Sequence, residues 1–203
     1  MTRTATVARQ SRFALLALAV VLSLGLLVGL QSAQAATLNL AGGYTQLTTD
    51  PGTTKALVAN RIVPLPVYPS WVTPTWTSQG LALRYRFYIT GGSIDSATLA
   101  GQINHSGGLK FVNYRNGKSL KATNFVIDTT KSQLWGTVGG GSVPLLDLDL
   151  SGYTVTAGSV YTVIAPVPAK LTPEAAGALN ATLGTTIFTP GLSFGTAKVS
   201  ARF

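Results

Sequence analysis

A single histidine, His105, stands in "GQINHSGGLKF" (101–111), and no cysteine is present to share metal or redox work with it. The absence of cysteine removes disulfides, iron–sulfur centres and thiol chemistry together, and one histidine offers too few ligands for zinc. In the alternation Gly101-Gln102-Ile103-Asn104-His105, the imidazole shares a face with Ile103. If Ile103 points into a core, so does the ring. A neutral imidazole there can ligate haem iron, or it can hydrogen-bond a carbonyl near the mouth of the core.

Charge is the second source of chemistry. "KFVNYRNGKSLK" carries Lys110, Arg115, Lys118 and Lys121 with no acid among them, and Phe111 and Tyr114 are interleaved. Such a basic hairpin suits an anionic partner; for an exported chain that means an envelope polymer, lipid headgroups or a surface protein, not nucleic acid. The same lysines would also protect a strand edge. In "LLDLDL", Asp147 and Asp149 share one strand face, with Leu146, Leu148 and Leu150 opposite. Paired carboxylates can hold calcium or act on a sugar, but two residues apart on one strand they more simply form a wet face paired with basic neighbours. G-x-S-x-G, H-E-x-x-H and phosphate-loop motifs are all missing. Asp95 and Asp128 could orient His105 by residue type alone, which assigns no catalytic role. The expectation is a non-enzyme with no catalytic residue and no metal site.

These residues need elements to position them. "LALRYRFYI" (81–89) alternates Leu81, Leu83, Tyr85, Phe87 and Ile89 against Ala82, Arg84, Arg86 and Tyr88, a strand with one buried and one wet face. Asn116-Gly117 between "LKFVNY" and "SLKATNFVI" predicts a hairpin, and Ser106-Gly107-Gly108 predicts another turn of that kind. Further strand-like runs follow to the final "SFGTAKVSARF" at roughly 8–12-residue spacing. Two stretches break the pattern: Asp50-Pro51 and Thr172-Pro173 each place a polar cap before a proline, which predicts short helices within 48–61 and 171–184. Pro64, Pro66, Pro69 and Pro74 exclude a central strand from "IVPLPVYPSWVTPTWTSQG", so an ordered loop packing Trp71 and Trp76 on the body is expected. The fold class is all-β: an antiparallel β-sandwich, or a partly closed barrel, with two short helices.

Residues 1–35 have the three parts of a secretory signal peptide: Arg3, Arg9 and Arg12, then an apolar run (14–30), then Ala33 and Ala35 as an A-x-A site. Residues 36–203 are expected to be a single β-rich domain. Loss of those three arginines takes the formal charge from +9 to +6. With no second long apolar run, no helical membrane span is expected after cleavage.

The segment "FYITGGSIDSATLAGQINHSGGLKF" (87–111) resembles the central part of the HtaA-type domain of secreted and surface haem-uptake proteins, and the similarity runs over residues 87–136. It rests on Gly91-Gly92, Asp95 to Thr98 and His105-Ser106-Gly107. The resemblance implies a β-rich domain at the cell surface, in which haem is bound by a tyrosine assisted by the histidine at His105. The family's tyrosine lies upstream in an S-F-x-x-Y setting that this chain lacks; Tyr44 and Tyr68 fall in that region. His105, Tyr44 and Tyr85 are therefore the candidate ligand-binding residues, and Lys110, Arg115, Lys118 and Lys121 the candidate anionic patch. The expected function is an exported, non-catalytic, ligand-binding module of the cell envelope, with haem the candidate ligand. The rival is a structural or adhesive envelope protein that uses the basic hairpin and the Trp71–Trp76 loop.

Overall fold

The computed structural model describes residues 36–203; the signal-peptide reading of 1–35 lies outside the described residues. The strands in chain order are β1 (Thr37–Asn39), β2 (Gly42–Thr49), β3 (Ile62–Val67), β4 (Trp71–Thr77), β5 (Gly80–Asp95), β6 (Gly101–His105) and β7 (Gly108–Asn113). They continue with β8 (Ser119–Asp128), β9 (Gln133–Val138), β10 (Gly141–Leu148), β11 (Thr154–Ala157), β12 (Thr162–Leu171) and β13 (Ser193–Arg202). Helices α1 (Pro51–Ala59) and α2 (Pro173–Leu183) interrupt them where the caps predict. Asp50 accepts from the amides of Gly52 and Thr53, Thr172 accepts from Ala175, and Gly184 ends α2 at φ 64°.

Of the two architectures the sequence left open, the strands choose the barrel. β2, β13, β12, β10, β9, β8, β6 and β5 pair antiparallel in that order, and β5 returns to β2. Closure removes the edges of this eight-stranded ring. Long β5 makes it possible: its first half pairs with β2 and β4, its second half with β6 and β1. The register shifts between Ile89 and Gly91, and at Gly92 (φ 114°) a Cβ would stand 2.1 Å from the Gln102 carbonyl. Only glycine lets the two strands meet so closely.

The turn expected at Ser106-Gly107-Gly108 is not a hairpin. β6 and β7 do not pair with each other; both run along β8, β6 beside Asn104–Val126 and β7 beside Gly108–Thr123. They are one long strand that forks at Ser106-Gly107, β6 closing the barrel and β7 leaving it to pair with β3. Gly107 (φ 85°) packs against Ser70, which leaves no room for a side chain. The expected loop at 62–77 is also replaced, by two strands. β3 and β4 each have a single strand neighbour, β7 and β5, which is where prolines are tolerated. Trp76 is 80% exposed, so it does not pack on the body as expected.

Apolar side chains fill the lumen, and α2 closes one end with Ala175, Ala176 and Leu179. An apolar void of about 50 Å³ remains between α2 and the strand residues Leu47 and Phe125. Among the described residues, no helix is long and apolar enough to cross a membrane.

Candidate functional site

Alternation carries Ile103 and His105 inward together, as expected, and leaves the ring only 5% exposed. Its Nδ1 lies 3.2 Å from the Phe125 carbonyl and its Nε2 lies 2.7 Å from Thr45 Oγ1. A carbonyl only accepts, so Nδ1 carries the proton and donates; the Thr45 hydroxyl then donates to Nε2. Both nitrogens are occupied within the protein. Burial pulls the ring's pKa down to about 4, against the opposing pull of the Phe125 and Ile103 carbonyls. The void beside it, about 30 Å³ between Phe87, Phe125, Ile127 and Leu148, has room for a water and not for a porphyrin. Haem does not fit at His105, whose partner is a threonine and not a tyrosine.

Tyr85 also points inward. It is fully buried, its hydroxyl donates to the Pro64 carbonyl at 2.6 Å, and burial pushes its pKa up. That bond ties edge strand β3 to the barrel, and full burial keeps the hydroxyl oxygen out of reach of a ligand on the surface.

Tyr44 precedes Thr45 and so faces the opposite way, onto the outer wall. The Arg86 guanidinium lies 4.1 Å from the Tyr44 ring centroid and 4.6 Å from that of Trp71, sandwiched between them. Tyr161 meets Tyr44 edge-on at 5.7 Å. Cross-strand register explains the assembly: Lys198, Gln46, Arg86 and Trp71 form one row over β13, β2, β5 and β4. Ser200, Tyr44 and Tyr88 form the next row. In these two rows, Ser200 Oγ and Arg86 Nε are buried without a hydrogen-bond partner. Arg84 and Lys198 are exposed on the same wall, and the four strands carry no acid except Asp95 at the far end of β5.

The four cations of the basic hairpin lie in two different settings. Arg115 Nη2 donates to the Ala59 carbonyl at the end of α1 at 3.4 Å. Lys118 Nζ lies 3.5 Å from where a Cβ on Gly184 would stand, beside the end of α2. Both cations meet the negative pole of a helix. Lys110 and Lys121 instead face each other across β7 and β8, both exposed.

The aspartates are occupied locally. Asp95 is held below the usual carboxylate range first by the Thr98 amide, Asp128 first by the Thr130 hydroxyl, and Asp149 first by the Ser151 hydroxyl. Asp147 accepts from Gln133 and faces Lys170 across the sheet, while Asp149 caps its turn through Ser151. No hydrogen bond joins Asp95 or Asp128 to His105. Among the described residues, no cluster of three metal-ligating side chains forms.

Sequence reasoning found Tyr44 but not its setting. Trp71, Arg86, Tyr161 and the pair Lys198 and Ser200 come from four separate segments of the chain; the sequence singled out Trp71 in its proline-rich stretch and Arg86 on the wet face of "LALRYRFYI", but nothing in it brings them together.

The fold and these surfaces define a closed β-barrel domain with a filled lumen and an aromatic, cationic outer wall. Its structure is similar to the crystal structure of the C-terminal domain of HtaA from Corynebacterium glutamicum, with a TM-score of 0.53, 14% identity, and coverage of 81% of this chain and 98% of that one. The heme binding protein HtaB of the same organism also matches, with a TM-score of 0.45 and 10% identity, over 83% of this chain and 96% of HtaB. The chain thus has the HtaA-type β-rich fold that residues 87–136 suggested. No protein-family model matches the sequence, and no curated protein does.

Proposed function

We propose that residues 36–203 are an exported, non-catalytic binding module of the cell envelope, and that the ligand is haem, taken on the outer wall with Tyr44 facing the iron. The observation that carries this reading is the Trp71–Arg86–Tyr44 stack on a wall whose other charges are cationic. A phenol oxygen supplies an iron ligand, and a wall of one sign draws an anionic porphyrin. The HtaA-type fold and the leader-like residues 1–35 support the placement at the envelope. The internal occupation of His105 and the missing nucleophile motifs support a binding role without catalysis.

The test is a hemin titration of residues 36–203, a closed barrel with its own core, read in the Soret region. Tyr44→Phe keeps the ring under Arg86 and removes only the hydroxyl. A saturable shift weakened about tenfold or more by Tyr44→Phe, roughly 1.4 kcal/mol, and changed less than about twofold by His105→Gln is the expected result. No saturable shift, or one indifferent to Tyr44→Phe, would overturn the reading.

A second reading is favoured by Lys110 and Lys121. Like charges directly opposed across strands are destabilising, and no carboxylate lies within 4 Å of either: Lys131 with Asp128 is the one ion pair among the described residues. A polyanionic envelope polymer laid along β7 and β8 would relieve that repulsion.

A further inference from the structure

The outer wall also holds cationic groups that have no part in iron ligation, and their placement describes a ligand. Arg84 lies two residues before Arg86 on the wet face of β5; Lys198 lies in the Arg86 row, two strands away on β13. Ordinary sheet spacings put their backbones about 7 Å and about 10 Å from that of Arg86. Both side chains are exposed, and among the described residues neither has a carboxylate within ion-pair distance. Arg86 itself is committed, with a ring against each face of its guanidinium. Thus one cation is built into the aromatic stack and two free cations flank it.

We infer that Arg84 and Lys198 are specificity-determining residues that bind the two carboxylates of a flat, ring-shaped dianion seated against the Trp71–Arg86–Tyr44 stack, so that the wall selects the diacid tetrapyrrole with or without its metal. This rests on the proposed function and deepens it. The long flexible stems of Arg84 and Lys198 let each charge follow a carboxylate on a short arm. A carboxylate bound by a cation in a charge-assisted hydrogen bond is held more strongly than an ester in its place. Charge complementarity favours this occupant over a neutral ring compound, which would leave both cations unanswered.

The experiment compares metal-free protoporphyrin IX with its dimethyl ester, by porphyrin fluorescence anisotropy, alongside hemin by absorbance. The proteins are residues 36–203 and the variants Arg84→Gln and Lys198→Gln, each checked for its fold by circular dichroism. Both substitutions are on exposed side chains and leave the stack intact. The metal-free diacid, which forgoes the Tyr44 contact to iron, should bind the parent about as tightly as hemin binds Tyr44→Phe, and the ester at least about tenfold more weakly than the diacid. Each variant should weaken the diacid by roughly five- to tenfold and leave the ester unchanged. If ester and diacid bind alike, or the variants bind the diacid as the parent does, this inference is overturned. Hemin binding that still depends on Tyr44 would then leave the proposed function standing. Failure of all three ligands to bind would overturn both.

Discussion

Two neighbouring residues of β2, Tyr44 and Thr45, lie on opposite sides of one barrel wall. Inside, Thr45 and His105 meet at 2.7 Å among Leu47, Phe87 and Phe125, and every polar atom of the histidine ring has a partner within the protein. Outside, Tyr44 lies under Arg86 beside half-exposed Trp71, with Ser200 Oγ and Arg86 Nε left unpaired. The inner pair is satisfied and enclosed; the outer group is charged and incompletely satisfied. Satisfied buried polar groups help to specify a fold, and a buried polar group without a protein partner has hydrogen-bonding capacity left for a water or a ligand. The single histidine is the residue that looks most chemical in the sequence, and it belongs to the fold.

The contrast is broken most severely from inside. Phe125 touches both lumen voids and packs edge-on against Phe87 at 5.1 Å. Phe125→Ala should cost about 3–5 kcal/mol, because the closed ring of strands cannot collapse onto the space it leaves. Urea unfolding of the variant and parent measures this. A loss under about 1 kcal/mol would mean that the lumen is not the structural half of the molecule.

Smaller, and specific to His105, is a dependence on pH. The folded ring is neutral down to about pH 4, whereas the unfolded ring protonates near its ordinary value of 6.5. Between those values the unfolded chain binds the extra proton, so stability falls as pH falls and is regained as pH rises. The total over the window is roughly 3 kcal/mol. Asp95, Asp128 and Asp149 have lowered pKa values and add their own losses only below the ordinary carboxylate range, so the upper part of the window belongs to the histidine. Urea midpoints at about pH 7 and about pH 4.5 should separate for the parent and converge for His105→Gln. Equal midpoints in the parent would place the imidazole in contact with water.

How far the sequence reveals these two faces follows from the range of the interactions. The helix caps at Asp50 and Thr172, the Asn116-Gly117 hairpin and the alternation of β5 are local, and each is legible in a few residues. So is the inward turn of His105. What closes the barrel is not local: β6 and β7 look like two arms of a hairpin, and only their shared neighbour β8 shows that they are one forked strand. Prolines hide β3 and β4 because edge strands tolerate what central strands do not. The outer site is the least legible part. Lys198 and Arg86 are more than a hundred residues apart and become neighbours only through the register of β2 between them. The basic hairpin is legible as a charge run, but its sequence does not reveal that Arg115 reaches the last carbonyl of α1 or that Lys118 lies beside the end of α2.

The remaining pair, Lys110 and Lys121, tests whether the outer face carries uncompensated charge for binding or only for solubility. They are directly opposed, exposed, and share their sheet face with Leu65 of β3. Lys110→Glu converts a repulsive cross-strand pair into an attractive one and should stabilise the fold by about 0.3–0.5 kcal/mol at low salt, an increment that fades as salt screens it. The same change should weaken binding to a polyanion, since the patch loses two units of positive charge at once. Thermal unfolding at low and high salt reads the first effect, and retention on a polyanionic column reads the second. A stabilised variant that still binds the polymer would assign these lysines to edge protection and solubility, and leave the Tyr44 wall as the binding face of the barrel.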